Sequence, residues 1–186
     1  MTHSFRVLHL IETDRKAGRF LHSWMGFLRQ HGVEVGLMGC LEEHLEEFKE
    51  VCDYLVPLPW AGPFSPLRET ASLLDLYYVL TNWKPHILHS HDLISRLRGH
   101  IMGRRLDLPL LIHSRSDEAG LLERVTARIS HYEVSTSGEH TAHRTVIPSG
   151  LPDGLIHQKM YSVYQNLWAA RGAGLHRSFL RGPRRS

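Results

Sequence analysis

The sequence predicts an α/β fold: a single Rossmann-like, doubly wound parallel sheet with a helix at its C-terminal end that packs on it. Three observations predict this fold. Short apolar segments rich in strand-forming residues alternate with helical patterns along most of the chain. The strands are apolar throughout, as in sheets that helices cover on both faces. The 186 residues, 42% of them hydrophobic and 22% charged, are enough to bury one core.

The first three elements are a strand, a helix and a second strand. The first strand is the apolar run at residues 6–11, and the second covers residues 33–38. Between them, an apolar stripe with spacings of three and four predicts a helix that ends before Gly32. The stripe consists of Phe20, Trp24, Phe27 and Leu28. Two strands joined in this way are expected to be parallel, with a right-handed crossover.

The same alternation continues to residue 147. Predicted helices cover residues 41–49, 67–83, 93–105 and 121–129, and predicted strands cover residues 51–56, 86–90, 110–113, 131–135 and 145–147. The proline-rich loop at residues 57–66 carries Trp60 and Phe64, and it is either a fixed surface loop or part of a binding lip. A last helix at residues 155–171 has one apolar face, made of Ile156, Met160, Val163, Tyr164 and Leu167.

These elements divide the chain into three parts. Residues 1–151 form the Rossmann-like domain, residues 152–172 contain the packing helix, and residues 173–186 form a basic, flexible tail. The tail attracts phosphates without distinguishing lipid from nucleic acid. We predict no nucleic-acid partner and at most a peripheral contact with a membrane, through this tail or the loop at residues 57–66.

Composition limits the compartment and the kind of site. No apolar run approaches the roughly 18 residues that a membrane-spanning helix needs, and residues 1–6 lack the features of a secretory signal. We therefore predict a cytoplasmic protein, with a peripheral location at the inner membrane face left open. Cys40 and Cys52 have neither disulfide nor zinc spacing, and the 15 histidines are scattered rather than gathered in a metal-binding tract.

Functional residues are expected just after the strands, because ligands of open parallel sheets lie outside the carboxyl ends of the strands. This rule selects residues 12–18, 89–92, 113–117, 135–137 and 149–150.

Six phrases of the chain, in order, resemble those of family-4 glycosyltransferases of the GT-B type. They lie at residues 6–11, 28–35, 84–92, 108–115, 131–137 and 146–151. The third, KPHILHSHD, is similar to the family's RPDIVHAHD strand, and the last, VIPSGL, is similar to VIPNGV. The fourth, LPLLIHSR, resembles VPLVVTxH, with Arg115 where the family has histidine. The order and spacing of these phrases carry the resemblance.

The resemblance implies two Rossmann-like domains facing across a cleft, the N-terminal one holding the acceptor and the C-terminal one the nucleotide sugar. It implies transfer of a hexosyl group, with retention, to a sugar or lipid-linked acceptor, and no cofactor besides the donor substrate. Residues after Leu151 are too few for another domain, and they look like the family's closing helix. We therefore expect an acceptor-side half, incomplete for transfer by itself, that needs a separate donor-binding chain or a homo-oligomer.

The resemblance also indicates site residues near the strand at 110–113. The family's sugar-contacting histidine is replaced by Arg115, and the nearest imidazole is His113, which makes His113 the catalytic candidate. Arg115 is suited to clamp a phosphate or carboxylate. The alternative for His113 is a strand-end histidine bonded to backbone.

The loop after the first strand is a second candidate region. The family has paired glycines there, whose amides approach phosphate, whereas this chain has Arg15 and Lys16, followed by Gly18 and Arg19. These three cations either bind an anion through their side chains or form a solvated loop. Gly18 is retained as a substrate-binding candidate.

Ser135, Ser149 and Gly150 are further substrate-binding candidates at strand ends. Ser149-Gly150 replaces the family's Asn-Gly at the connection between the two domains. Here that turn leads only to the final helix.

The phrase His89-Ser90-His91-Asp92 allows two interpretations. We predict substrate binding and strand-end hydrogen bonds for these residues, with His91 and Asp92 capping the next helix. Alternate residues of a strand share a face, so a metal hydrolase is the alternative, with His113 or Asp117 as a further ligand. We predict no metal.

One more interpretation stays open for the whole chain. A non-catalytic sugar- or anion-binding module, or a truncated remnant of a transferase, would fold in the same way without transferring anything.

Overall fold

The chain forms one parallel sheet with helices on both faces. The computed structural model describes residues 5–13, 18–40, 45–58, 65–114, 132–135, 144–146 and 151–172. Within these ranges the strands are β1 Arg6–Thr13, β2 Glu34–Cys40, β3 Tyr54–Pro57, β4 Ile87–Ser90, β5 Leu110–Ser114, β6 Tyr132–Ser135 and β7 Arg144–Val146. The helices are α1 Gly18–Gln30, α2 Leu45–Val51, α3 Pro66–Asn82, α4 Leu93–Leu106 and α5 Asp153–Gly172.

The strand order is β3-β2-β1-β4-β5-β6-β7, and every neighbouring pair is parallel. The chain moves outward from β1 to β3 and then returns to place β4 on the other side of β1. This reversal makes the boundary between β1 and β4 the topological switch point, where open α/β sheets bind ligands. The predicted doubly wound Rossmann-like sheet is confirmed.

Two apolar layers cover the sheet. On one face, Trp24 of α1 and Tyr164 of α5 are both 0% exposed and pack against Val7 of β1. On the other face, Leu76 of α3 packs with Leu8. Successive residues of β1 therefore serve opposite layers, as the two-residue period of a strand requires. The predicted apolar face of α5 is buried here, with His157 added and Ile156 only partly buried.

The boundaries of β3 differ from the prediction. Val51 is the last residue of α2, and the strand begins at Tyr54. The Cys52 N–H donates to the carbonyl of Phe48 at 3.0 Å and closes the helix, while the Asp53 carboxylate accepts from the Val35 N–H at 2.8 Å. The Asp53 N–H also donates to the Val35 carbonyl at 2.7 Å, so Asp53 is held against β2 immediately before β3 begins.

Several predictions lie outside the described residues: the helix at 121–129, Trp60 and Phe64 of the proline-rich loop, and the tail at 173–186. Among the described residues, Cys52 is a free, half-buried thiol. Among the described helices, none combines the length and the apolar character needed to cross a membrane.

Candidate functional site

The carboxyl edge at the switch point is organised by Asp92, the residue before α4. One carboxylate oxygen accepts from the Ser95 N–H at 2.9 Å, and the other accepts from the Glu12 N–H at 2.6 Å. The Ser95 hydroxyl in turn accepts from the Asp92 N–H at 3.3 Å, completing a capping box. The predicted capping role of Asp92 is confirmed. Because both of its oxygens are engaged, Asp92 fixes the end of β1 to the start of α4.

A charged network lies beside this cap. Arg98 of α4 donates to Glu12 at 2.7 Å and forms two bonds of 3.0 Å with the two carboxylate oxygens of Glu69 on α3. Arg98 is 8% exposed. Burial raises the pKa of Glu12, while the charge of Arg98 opposes the rise. The network joins three elements at the edge where a ligand is expected.

Three histidines converge on the face of the sheet that α1 and α5 cover. His9 of β1 and His89 of β4 are register partners on neighbouring strands, and His91 follows His89 by two residues. Nδ1 of His9 lies 2.9 Å from Nε2 of His91. The ring centroids are 5.0 Å apart for His9 and His89 and 4.0 Å apart for His89 and His91. We call these three residues the histidine triad.

The triad extends from the core to the edge of the sheet. His9 and His89 are 0% exposed, whereas His91 is half-buried. Burial lowers the pKa of His9 to about 3, so this imidazole is neutral at physiological pH. The hydroxyl oxygen of Tyr164 on α5 lies 2.5 Å from Nδ1 of His89. Burial raises the pKa of that hydroxyl. The structure thus holds ring nitrogens of three imidazoles close together below the carboxyl edge.

The positions of two predicted residues differ from what the HxHD phrase suggested. His89 was expected to contact substrate at the strand end, but its side chain is fully buried and lies below the surface that a substrate would reach. His91 was expected to help cap α4, but Nε2 of its imidazole lies 2.9 Å from Nδ1 of His9, and the N-cap residue is Asp92.

The backbone places His113 close to the switch point. Ser90 of β4 pairs with Ile112 of β5, so His91 and His113 each follow that pair by one residue. Farther along the edge, Ser114 pairs with Ser135 of β6. The register therefore brings His113 and Ser135 to the same edge as His91, as the sequence predicts.

The remaining predicted residues are spread over different segments. Gly18 begins α1, and Arg19 follows it with an exposed side chain. Arg15, Lys16, Arg115, Ser149 and Gly150 lie outside the described residues.

Sequence reasoning missed His9 and Tyr164 as members of the site. His9 was treated only as one residue of an apolar strand, and Tyr164 only as part of an apolar helix face. A histidine in the middle of an otherwise apolar buried strand is itself a signal, because a buried polar group requires a partner.

Solved structures share this fold at low sequence identity. A sucrose-phosphate synthase piece from Thermosynechococcus elongatus, numbered 27_220_406_426, matches with a TM-score of 0.65 and 14% identity, over 88% of this chain and 99% of that one. Acinetobacter baumannii MurG matches with a TM-score of 0.61 and 14% identity, over 77% of this chain and 45% of that one. The lipopolysaccharide outer core galactosyltransferase WaaB matches with a TM-score of 0.61 and 12% identity, over 79% of this chain and 46% of that one.

These matches concern the fold. The described part of the chain has a Rossmann-like α/β fold that matches GT-B glycosyltransferases. The chain spans about half the length of MurG and WaaB. UDP-N-acetylglucosamine 2-epimerases are also among the matched structures. No protein-family model matches the chain, and the comparison with curated proteins finds no match.

Proposed function

We propose that this chain is the acceptor-binding half of a retaining, nucleotide-sugar-dependent glycosyltransferase of the family-4 type. The supporting observation is the carboxyl edge at the switch point, where His91, Asp92 and the backbone of His113 lie at one level of a GT-B-like sheet. Ligands of such sheets bind at this point. The proposed substrate is a sugar or lipid-linked acceptor.

The two-part match with the sucrose-phosphate synthase piece agrees with this proposal. Its numbering joins a long segment to a short later one, and this chain covers 99% of it. In the proposal, the sheet and α5 correspond to those two segments. The nucleotide sugar is then held by a separate donor-binding chain. A homo-oligomer, in which another copy of this chain holds the donor, is the alternative, and donor binding by this chain without any other protein would favour it.

Most of the predicted residues, though not Gly18 or the buried His89, have a role in this scheme. His113 aligns the acceptor hydroxyl and stabilises charge as the bond to the diphosphate breaks. Arg115, Arg15, Lys16 and Arg19 supply positive charge toward phosphate or carboxylate groups, which Arg binds in a fork geometry. Asp92 acts chiefly by fixing the edge, because its two oxygens accept from the Glu12 and Ser95 N–H groups, and its remaining lone pairs are available to a substrate hydroxyl.

Ser135, Ser149 and Gly150 complete the proposed acceptor surface through hydroxyl and backbone groups. His91, half-buried at the same edge, is the triad member closest to that surface. We further propose a cytoplasmic enzyme with peripheral contact to the inner membrane face, which suits a lipid-linked acceptor, and no nucleic-acid partner.

The proposal is tested by transfer from labelled UDP-glucose, UDP-galactose and UDP-N-acetylglucosamine to sugar and lipid-linked acceptors. The chain is assayed alone and together with proteins encoded beside it, and NMR of the product gives the anomeric configuration. We expect transfer with retention only when a donor-binding chain is present. His113→Ala should lower the rate by about 10²–10³-fold, the effect of removing one group that stabilises transition-state charge.

His31→Ala is the matched control, because His31 is exposed at the end of α1. It should leave the transfer rate unchanged. Tight binding of a nucleotide sugar to the lone chain, measured by calorimetry, would contradict the division of labour proposed here. Inversion at C2 of UDP-N-acetylglucosamine without any transfer would assign the chain to the epimerases instead.

A further inference from the structure

The histidine triad is the strongest unassigned feature of the described residues. His9, His89 and His91 offer three ring nitrogens that all lie within 4.8 Å of one another. No carboxylate takes part, and the site lies at the switch point between β1 and β4. We propose that the triad binds one divalent transition-metal ion of the Zn²⁺ class.

The backbone preorganises the three ligands. His9 and His89 occupy paired positions on central strands. The parallel pairing from Val7–Ile87 to Leu10–Ser90 fixes their positions relative to each other along the strands. The pairing with β1 extends one residue past the end of β4, because the His91 N–H donates to the carbonyl of Leu10 at 3.1 Å. Side chains two residues apart on a strand share a face, so His91 joins His89 on the same side. Ligands on central strands hold their geometry better than ligands on loops.

The distance between the His9 and His91 nitrogens fits a metal after a small adjustment, and the His89 nitrogen lies within 4.8 Å of both. A tetrahedral ion with bonds of about 2.0–2.1 Å separates its nitrogen ligands by about 3.3 Å. Nδ1 of His9 and Nε2 of His91 are 2.9 Å apart. Opening this pair by a few tenths of an ångström replaces one shared hydrogen bond by two bonds to the ion. His9 then carries its own proton on Nε2, a buried atom without a hydrogen-bond partner among the described residues.

Tyr164 supplies the outer shell that such sites require. A histidine that binds a metal usually donates a hydrogen bond from the N–H of its second ring nitrogen to a fixed acceptor. That bond determines which tautomer is present. With Nδ1 protonated, His89 donates to the Tyr164 hydroxyl, and Nε2 is the nitrogen left for the ion. Tyr164 is 0% exposed and belongs to the apolar face of α5, so this acceptor is immobilised by packing.

The ligand set also selects the class of ion and leaves a coordination position open. Imidazole nitrogens favour Zn²⁺, Cu²⁺, Ni²⁺ or Fe²⁺ over Mg²⁺ and Ca²⁺, which require oxygen ligands. Three protein ligands with an open fourth position are typical of catalytic rather than structural zinc. Asp92 does not fill that position, because its oxygens bind the Glu12 and Ser95 N–H groups. The fourth ligand therefore comes from water or an anionic ligand, on the half-buried His91 side.

The experiment uses the full chain after chelator treatment and measures metal binding without any sugar substrate. Zn²⁺ affinity and stoichiometry are measured by competition with a chromophoric chelator, and Co²⁺ substitution reports coordination number through its visible absorption. We expect one ion per chain and a four-coordinate Co²⁺ spectrum. His9→Gln and His91→Gln should weaken binding by more than the roughly 10–100-fold that loss of an outer-shell partner costs.

Two further variants separate this site from the other histidines. Tyr164→Phe should weaken binding by about 10–100-fold while keeping the stoichiometry, because it removes only the outer-shell acceptor. His31→Gln, at an exposed position, should change nothing. Circular dichroism checks that each variant folds, and half-buried His91→Gln keeps the test decisive if buried His9→Gln does not fold.

Unchanged affinity in folded His91→Gln overturns the proposal, as does an equal loss in His31→Gln, which would indicate scattered surface binding. A six-coordinate Co²⁺ spectrum overturns the open-position geometry. Because the readout is metal binding alone, the proposal stands or fails independently of glycosyl transfer.

Discussion

Replacing Arg98 by methionine tests whether the charged network holds the functional edge together. Arg98 is the shared partner of Glu12 and Glu69, through contacts of 2.7 Å and 3.0 Å. Its side chain is 10% exposed, while those of the two glutamates are 27% and 22% exposed. Methionine preserves much of the volume but leaves two nearby carboxylates without their cation.

The expected loss follows from this degree of burial. Exposed ion pairs contribute about 0–1 kcal/mol, whereas removing one partner of a buried pair costs about 3–5 kcal/mol. Arg98 lies between these limits, so we expect Arg98→Met to lower the free energy of unfolding by about 2–4 kcal/mol at pH 7. Urea denaturation followed by circular dichroism measures this change.

The pH dependence distinguishes lost charge pairing from lost packing. Burial already raises the pKa of Glu12, and Arg98 opposes that rise. Without Arg98, Glu12 protonates more readily, which relieves uncompensated negative charge, so the deficit of Arg98→Met should be smaller at pH 4 than at pH 7. Adding Glu69→Gln should recover part of the loss, with a coupling energy of about 0.5–3 kcal/mol.

Arg104→Met is the matched control, since Arg104 is exposed on the same helix. Its effect should stay within about 0.5 kcal/mol. If Arg98→Met also stays within that range, or if its deficit is equal at both pH values, the network does not stabilise the edge as described.

The remaining predictions concern packing and pH. A Cβ added at Gly39 would lie 2.3 Å from the carbonyl oxygen of Ile11, so Gly39→Ala should lower the free energy of unfolding by about 1–3 kcal/mol or more. Gly154 on α5 has open space around it, so Gly154→Ala should leave this free energy unchanged or raise it by up to about 1 kcal/mol. The same urea assay measures both changes. Burial and nearby arginines lower the pKa of His86 from 6.5 to about 4, and its Nδ1 accepts from the Arg6 N–H at 2.9 Å. As the pH falls from 6.5 toward 4, the unfolded chain takes up the proton first, so stability should decrease over this window. His86→Asn, which keeps an acceptor but does not titrate, should flatten that decrease by about 1–2 kcal/mol after solvent screening, and an unchanged pH profile would exclude His86 as its source.

Local sequence patterns were sufficient for most of the described elements and for one part of the site. The apolar runs predicted the strands, the helical periodicity predicted α1 and α5, and the rule on strand ends led to His91 and Asp92. The capping role of Asp92 was predictable because the cap depends on residues only three positions apart. Val51 was misassigned because α2 continues through it and is closed by the bond from the Cys52 N–H to the Phe48 carbonyl, which the apolar run at residues 51–56 does not reveal.

The chain's sequence by itself determined a parallel, doubly wound sheet and the edge where function is expected, because both follow from short-range periodicity and connection rules. Only the tertiary structure decided that His9 stands beside His89, and that Arg98 reaches Glu12 and Glu69. The two-residue period of a strand shows which of its residues share a face. It does not show which residue of another strand, here 80 positions away, lies opposite each of them. That register results from packing the crossover helices on the sheet, and it turns a buried strand histidine into part of a site.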